Sequence, residues 1–234
     1  MKGLDLLQQL QLDLSRERMI CLTGSGGKTS LLYYLGRRCA IAKIPAALLT
    51  TTHIRPPREP LFPLVWDGNA AKQAWQHGCV PVLGTPSVEG KLGPPSPELL
   101  GRLYEEGWLL LVEADGSRRL PIKFPNATEP VLPPQTSRVI TVAGLSALGR
   151  PLAEVCHRWE LACRILGLSP NQKVTPELLS TLLCKGYGKY HPTVLLNQSD
   201  IAKPEDCQYL QTLLHQRGVR IVAATSLKQE VLPC

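Results

Sequence analysis

The chain has 234 residues, 44% of them hydrophobic, with 21 prolines, eight cysteines and a formal net charge of +7. That length and a mean hydropathy of −0.03 suit a globule whose core is large enough to fold without disulfides or a structural metal, and they exclude a disordered chain. The basic excess is scattered in pairs such as Arg37-Arg38 and Arg118-Arg119 and is accompanied by only two phenylalanines, so no nucleic-acid surface is expected.

The first fifteen residues read as an amphipathic helix with Leu4, Leu7, Leu10 and Leu14 on one side. Their carboxylates Asp5 and Asp13 interrupt any signal-peptide core, and no apolar run downstream approaches the ~18 residues of a membrane span. A cytoplasmic protein with no membrane partner follows. The cysteines contain no C-x-x-C pair, which points to reduced thiols.

MICLTG (19–24) is a short apolar strand that enters a glycine-rich turn, and SLLYYLGRRCA, from Ser30, reads as a helix. PAALLTTT (45–52) is a second buried strand, followed by the proline-rich HIRPPREPLFP. Residues 67–77 suit a helix, CVPVLGT a strand, SVEGKLGPPSP a long loop, and PELLGRLYEEG a helix with Pro97 in its first turn. GWLLLVEADG is the clearest strand of the chain; 137–144, 192–200 and 219–226 are further strands, with helices at 151–168, 176–185 and 204–217. Apolar strands alternating with helices predict an α/β three-layer fold with a mostly parallel sheet; with the glycine-rich turn TGSGGKTS after its first strand, this reads as a P-loop NTPase, a single nucleotide-binding domain over 1–234.

The strand–turn–helix MICLTGSGGKTSLLYYL carries the main chemical signal. Glycines let backbone N–H groups wrap phosphate oxygens without Cβ obstruction, a lysine reaches the β/γ-phosphates, a hydroxyl binds Mg²⁺, and the following helix directs its positive end at the anion. Gly24, Ser25, Gly26, Gly27, Lys28, Thr29 and Ser30 are therefore the expected nucleotide-binding residues, with Lys28 on a solvent-facing loop. The usual G-x-x-x-x-G-K-[ST] pattern has its first glycine where Leu22 stands; the shorter T-G-x-x-G-K-T resembles the loop of the Mur ligases and folate-polyglutamate ligases.

Farther along, Leu109–Val112 deliver Glu113 and Asp115 to a strand end, where a carboxylate joins the metal shell or orients an attacking water. Thr50, Thr51 and Thr52 end the second strand; Thr51, with Thr29 and Glu113, is a candidate Mg²⁺ ligand. LLNQSD resembles the guanine-specifying N-K-x-D element, with Gln198 in place of the lysine, which makes Asn197 and Asp200 candidate base contacts; ATSLK (224–228) resembles the S-A-K element. Together these elements resemble SIMIBI-class GTPases, the metallocentre-assembly members above all.

A longer resemblance covers residues 20–200. TGSGGKTS, LLTTTHI, VEADGSRRLPIKFPNATEPVLP, VAGLSALGRPL and CHRWE, in this order, resemble the YqeC family, described as accessory proteins of selenium-dependent molybdenum hydroxylases or selenium cofactor biosynthesis proteins. The resemblance adds Gly116, Arg118, Pro121, Lys123, Glu129, His157 and Arg158 as candidate site residues, the cations facing either a γ-phosphate, an anionic partner or solvent. It implies a Mg²⁺-dependent GTP or ATP hydrolase, with Lys28, Glu113 and Asp115 in catalysis, that assists maturation of such a hydroxylase and contacts it or its cofactor-assembly proteins. A Mur-like ATP-dependent ligase or kinase, and a nucleotide-dependent scaffold without hydrolysis, stay open beside it.

Overall fold

Runs such as MICLTG, AALLT and LLLVE are apolar at almost every position, the pattern of strands covered on both faces. The computed structural model describes residues 5–87 and 90–230. Its strands are β1 (Met19–Gly24), β2 (Ala46–Thr50), β3 (Leu64–Val65), β4 (Val82–Leu83), β5 (Thr85–Pro86), β6 (Leu92–Gly93), β7 (Leu109–Glu113), β8 (Ile122–Lys123), β9 (Arg138–Gly144), β10 (Cys156–His157), β11 (Thr193–Asn197) and β12 (Val222–Thr225). The helices are α1 (Leu6–Gln9), α2 (Lys28–Ala42), α3 (Gly68–Gln76), α4 (Pro97–Glu105), α5 (Leu152–Val155), α6 (Trp159–Leu166), α7 (Pro176–Tyr187) and α8 (Pro204–Gln216).

Eight strands form one sheet in the order β12-β11-β9-β1-β7-β2-β4-β3, and each neighbouring pair is parallel. The period-2 alternation of each strand divides the core. Ile20, Leu22, Leu48, Leu111 and Val142 pack with Leu31, Leu32 and Leu35 of α2. On the opposite face Met19, Cys21, Leu110 and Val112 meet Ala71 of α3 and Leu103 of α4, while Ala143, Val194 and Leu196 meet Leu179 of α7 and Leu210 of α8. This is the expected three-layer α/β architecture, with an 8-stranded sheet in which all pairings are parallel. Burying each such leucine contributes about 1.5–3 kcal/mol, so the sheet is a rigid platform for whatever its loops carry.

The registers bring the strand ends level. Leu22 pairs with Glu113, Thr50 with Glu113, Gly24 with Val142, and Asn197 with both Gly144 and Thr225. From β1 the chain first winds toward β2 and later returns to the other side as β9, so winding reverses beside β1. In open α/β sheets that crevice, outside the carboxyl ends of the strands, is where ligands bind.

Three expectations change. The helix over 1–15 is confined to α1, because Gln11 adopts a left-handed backbone (φ 48°) that ends it; residues 1–4 lie outside the described range. Leu6, Leu10 and Leu14 are nevertheless buried in the α2-side core. The helix over 151–168 is broken: Cys156 and His157 pair as β10 with β8, and Arg158 turns left-handed (φ 64°) before α6 starts. Within the loop 87–97, Leu92–Gly93 folds back as β6 on β5, and Leu92 also bridges Ile54. Among the described residues no disulfide forms and no helix is long and apolar enough to cross a membrane.

Candidate functional site

The turn after β1 holds three glycines at positive φ: Gly24 (84°), Gly26 (82°) and Gly27 (140°). All three also lack room for a side chain. A Cβ on Gly24 would collide with the Val142 carbonyl, one on Gly26 with the backbone of Gly144 and with the Pro121 carbonyl, and one on Gly27 with the Asn197 amide. The turn is thus pressed against β9 and its neighbours from outside, and its backbone is held in a concave shape that L-residues rarely adopt. Ser25 reinforces this, its N–H donating to Val142 O at 2.8 Å and its hydroxyl to Leu120 O. Gly26, Gly27, Lys28, Thr29 and Ser30 line an open cleft of about 870 Å³, into which α2 opens by its N-terminus. Gly24 and Ser25 form the base of the turn, outside the cleft lining.

Lys28 is not the solvent-facing loop residue that the sequence suggests. It is 3% exposed, its Nζ donating to Gly24 O at 2.5 Å and lying 3.1 Å from Asp115 Oδ1. An ammonium has three N–H groups, so one remains for the cleft that Lys28 lines. The two strand-end carboxylates separate in the same way. Asp115 is fully buried and outside the cleft lining: its Oδ2 accepts from Gly24 N (3.0 Å) and Tyr187 Oη (3.0 Å), with Lys123 Nζ at 3.5 Å. Asp115, which the sequence placed on a water or a metal, has no access to the cleft and instead braces Lys28 and the glycine turn. Tyr187 went unforeseen, since nothing in the sequence of α7 separates it from an ordinary core aromatic.

Glu113 does line the cleft, and Thr29 Oγ1 donates to its Oε2 at 2.8 Å. Burial raises the Glu113 carboxyl above the ordinary carboxylate range, against the opposing pull of Lys28 and of the Thr29 hydrogen bond. A hydroxyl and a carboxylate side by side at a helix N-terminus are hard oxygen donors of the kind Mg²⁺ accepts. Among the described residues no cluster of three or more His, Cys, Asp or Glu forms a metal cage, and a Mg²⁺ ion at this pair would need to draw its other ligands from phosphate and water. Thr51, the third candidate ligand, instead donates to Val131 O (3.0 Å) and lies outside the cleft lining; Thr50 caps Glu113 O at 3.0 Å. Their hydroxyls are engaged by the chain because β2 and β7 end level.

At the β11–β12 end, Asn197 Nδ2 donates to Gly26 O (2.7 Å) and its Oδ1 accepts from Leu227 N (3.0 Å). Asn197 thereby ties the glycine turn to the loop 226–228, whose Ser226, Leu227 and Lys228 line the cleft. Asp200 does not join them. Gln198 is left-handed (φ 67°) and starts the short turn Ser199–Ile201, which carries Asp200 out into solvent. Asn197→Ala is accordingly expected to cost about 0.5–1.5 kcal/mol in denaturant unfolding, because the half-buried Gly26 carbonyl and Leu227 N–H lose their partners. Asp200→Asn is expected to alter neither stability beyond about 0.5 kcal/mol nor nucleotide preference in competition binding.

The remaining wall comes from the loop 116–121, the mini-sheet β8–β10 and residues 53–55. Lys123 Nζ donates to Gly116 O (2.5 Å) and meets Glu129 at 2.6 Å; Arg158 closes on the same Glu129 carboxylate. Burial alone would raise Glu129, but the hydrogen bonds from Arg158 and Lys123 prevail and lower it. Burial, with the charges of Lys123, Arg158 and Arg118, lowers His157, which therefore sits neutral at pH 7. The sequence named these residues singly; the pairing of β8 with β10 brings them together.

The YqeC protein family matches residues 20–160. An uncharacterized YqeC protein of Escherichia coli (strain K12) is 32% identical over 163 residues, which is 67% of this chain. That match spans 63% of the Escherichia coli protein's own length. No solved structure matches the chain.

Proposed function

The chain belongs to the YqeC family, and from that premise we propose that it binds a nucleoside triphosphate, GTP or ATP, with Mg²⁺ and hydrolyses it. The observation that carries this reading is the concave glycine turn at the carboxyl edge of a parallel sheet, with Lys28 at its base and Thr29 paired to Glu113 at its rim. Backbone N–H groups of the turn and the start of α2 hold the β- and γ-phosphates, and Lys28 adds its remaining N–H. Mg²⁺, held by Thr29 with Glu113 behind it, would neutralise the charge between the β- and γ-oxygens. Glu113, poised by burial above the ordinary carboxylate range, orients and deprotonates the attacking water. Phosphoryl transfer demands little beyond this positioning, so turnover is slow, in the manner of a switch.

We further propose that this cycle serves maturation of a selenium-dependent molybdenum hydroxylase, through contact with it or its cofactor-assembly proteins. Support comes from the segment 113–133 and from His157 and Arg158: the ion network they build, Asp115–Lys123–Glu129–Arg158, exceeds what phosphate binding needs. Two measurements test the reading. Purified protein with Mg²⁺ should turn over GTP or ATP, and absence of both binding and turnover refutes the nucleotide role. Deletion of the gene in its host should yield a hydroxylase deficient in labile selenium or activity; a fully loaded, active enzyme refutes the maturation role alone.

A further inference from the structure

The cleft is longer than its nucleotide-binding part. Beyond the loop 226–228 and the glycine turn, its lining includes residues of two further chain segments, a first bank at 53–55 with Arg55 and a second bank from the β7–β8 loop and β10 with Arg118, Arg119 and His157. Ile54, buried and bridged to Leu92, anchors the first bank. The β8–β10 pairing and the Lys123–Glu129–Arg158 ion pairs anchor the second.

Charge in this region is unbalanced. The two acidic residues of the lining among the described residues are already engaged, Glu113 by Thr29 and Glu129 by Lys123 and Arg158. Among the described residues, Arg55, Arg118 and Arg119 have no carboxylate partner. Arg118 and Arg119 are also successive left-handed residues (φ 49° and 61°), a conformation that L-residues seldom adopt and that recurs at ligand sites. His157 Nδ1 is buried without a hydrogen-bond partner, although buried ring nitrogens are nearly always satisfied. Three unpaired guanidinium groups and an unsatisfied imidazole around one hollow form an oxyanion site, since the guanidinium fork matches phosphate and carboxylate oxygens in pairs.

We propose that the cleft binds a second ligand beside the nucleotide, a small organic anion bearing a phosphate or carboxylate group, held between Arg55 and the Arg118–Arg119–His157 bank. This rests on the phosphate-loop reading, because the glycine turn, Lys28 and Thr29 are taken to supply the contacts of the triphosphate itself. Because the same cleft is lined by the glycine turn and by these cations, an anion held there would share it with the triphosphate, as acceptor or as the trigger of hydrolysis.

The test uses the full chain loaded with a non-hydrolysable triphosphate analogue and Mg²⁺, titrated calorimetrically with inorganic phosphate and, separately, with phosphonoacetate. The loaded protein should bind one equivalent of at least one probe. Arg118→Gln/Arg119→Gln, exposed positions whose exchange leaves the melting temperature unchanged, should weaken that binding at least tenfold while nucleotide affinity moves less than threefold. Failure of both probes to bind the loaded protein overturns the second site. So does an equal loss of nucleotide affinity in the arginine variant, which would assign both arginines to the triphosphate. If the parent binds no nucleotide, the phosphate-loop reading falls instead. The second site is then judged on the nucleotide-free protein, where the arginine pair must still remove one equivalent of probe.

Discussion

Lys28→Ala is expected to weaken nucleoside triphosphate binding at least about 100-fold, because it removes a desolvated ammonium from the phosphates, a loss on the order of 2–5 kcal/mol. The same exchange will not be silent for the fold. Asp115 is fully buried, and without Lys28 it keeps only Lys123 at 3.5 Å as a cationic neighbour. Breaking a buried pair by removing one partner costs about 3–5 kcal/mol, and the remaining contacts of Asp115 with Gly24 N and Tyr187 reduce that to about 1–3 kcal/mol here. The double variant Lys28→Ala/Asp115→Asn separates the two losses: it should recover part of the stability in urea unfolding and none of the nucleotide affinity in calorimetry. Recovery of binding in the double variant would show that Lys28 serves the turn's architecture and not the phosphates.

Glu113→Gln is expected to retain nucleotide binding and to lose hydrolysis by at least tenfold, about 1.4 kcal/mol in the barrier. Stability provides a second readout with a definite sign. The folded-state carboxyl of Glu113 lies above its ordinary value of 4.5 because burial disfavours the charged form. Between 4.5 and the raised value the unfolded chain binds fewer protons than the native one, so Glu113 draws stability away as pH rises. The glutamine variant escapes this titration. Its melting temperature should therefore gain on the parent's as pH moves from about 4.5 toward neutrality, with the gap closing on the acid side. A gap independent of pH would mean that the Glu113 carboxyl keeps its ordinary proton affinity in the folded chain, which would make it a weaker base toward the attacking water. An unchanged hydrolysis rate would remove Glu113 from the chemistry altogether.

Much of the architecture and the heart of the site were legible in the residues themselves. LLLVE and MICLTG announce buried parallel strands because almost every position is apolar, and the spacing of Gly24, Gly26, Gly27, Lys28 and Thr29 states both the turn's backbone requirement and its charge. Local chemistry dictates such features, so they can be read without knowing what packs against them. The amphipathic pattern at 151–168 misled for a related reason. Cys156 and His157 suit a helix by spacing, yet Arg158 adopts φ 64° and the two residues pair with Ile122 and Lys123, which lie more than thirty positions earlier. A hydrogen-bonded ladder to a distant segment outweighs helical preference, and no window of local sequence contains it.

The division of labour between the carboxylates is also tertiary. Glu113 and Asp115 are two residues apart and equally plausible in the string E-A-D-G, but the level ends of β1, β7 and β9 point Glu113 into the cleft and bury Asp115 beneath the turn. Length and composition determined that the chain has a large core, the alternation of apolar strands with helical stretches that it is α/β, and motif spacing where its glycine turn lies. Which side chains share the cleft was decided only when parallel strands distant in sequence came into register, because burial and pairing between remote segments set a side chain's access, its counter-ion and its proton affinity.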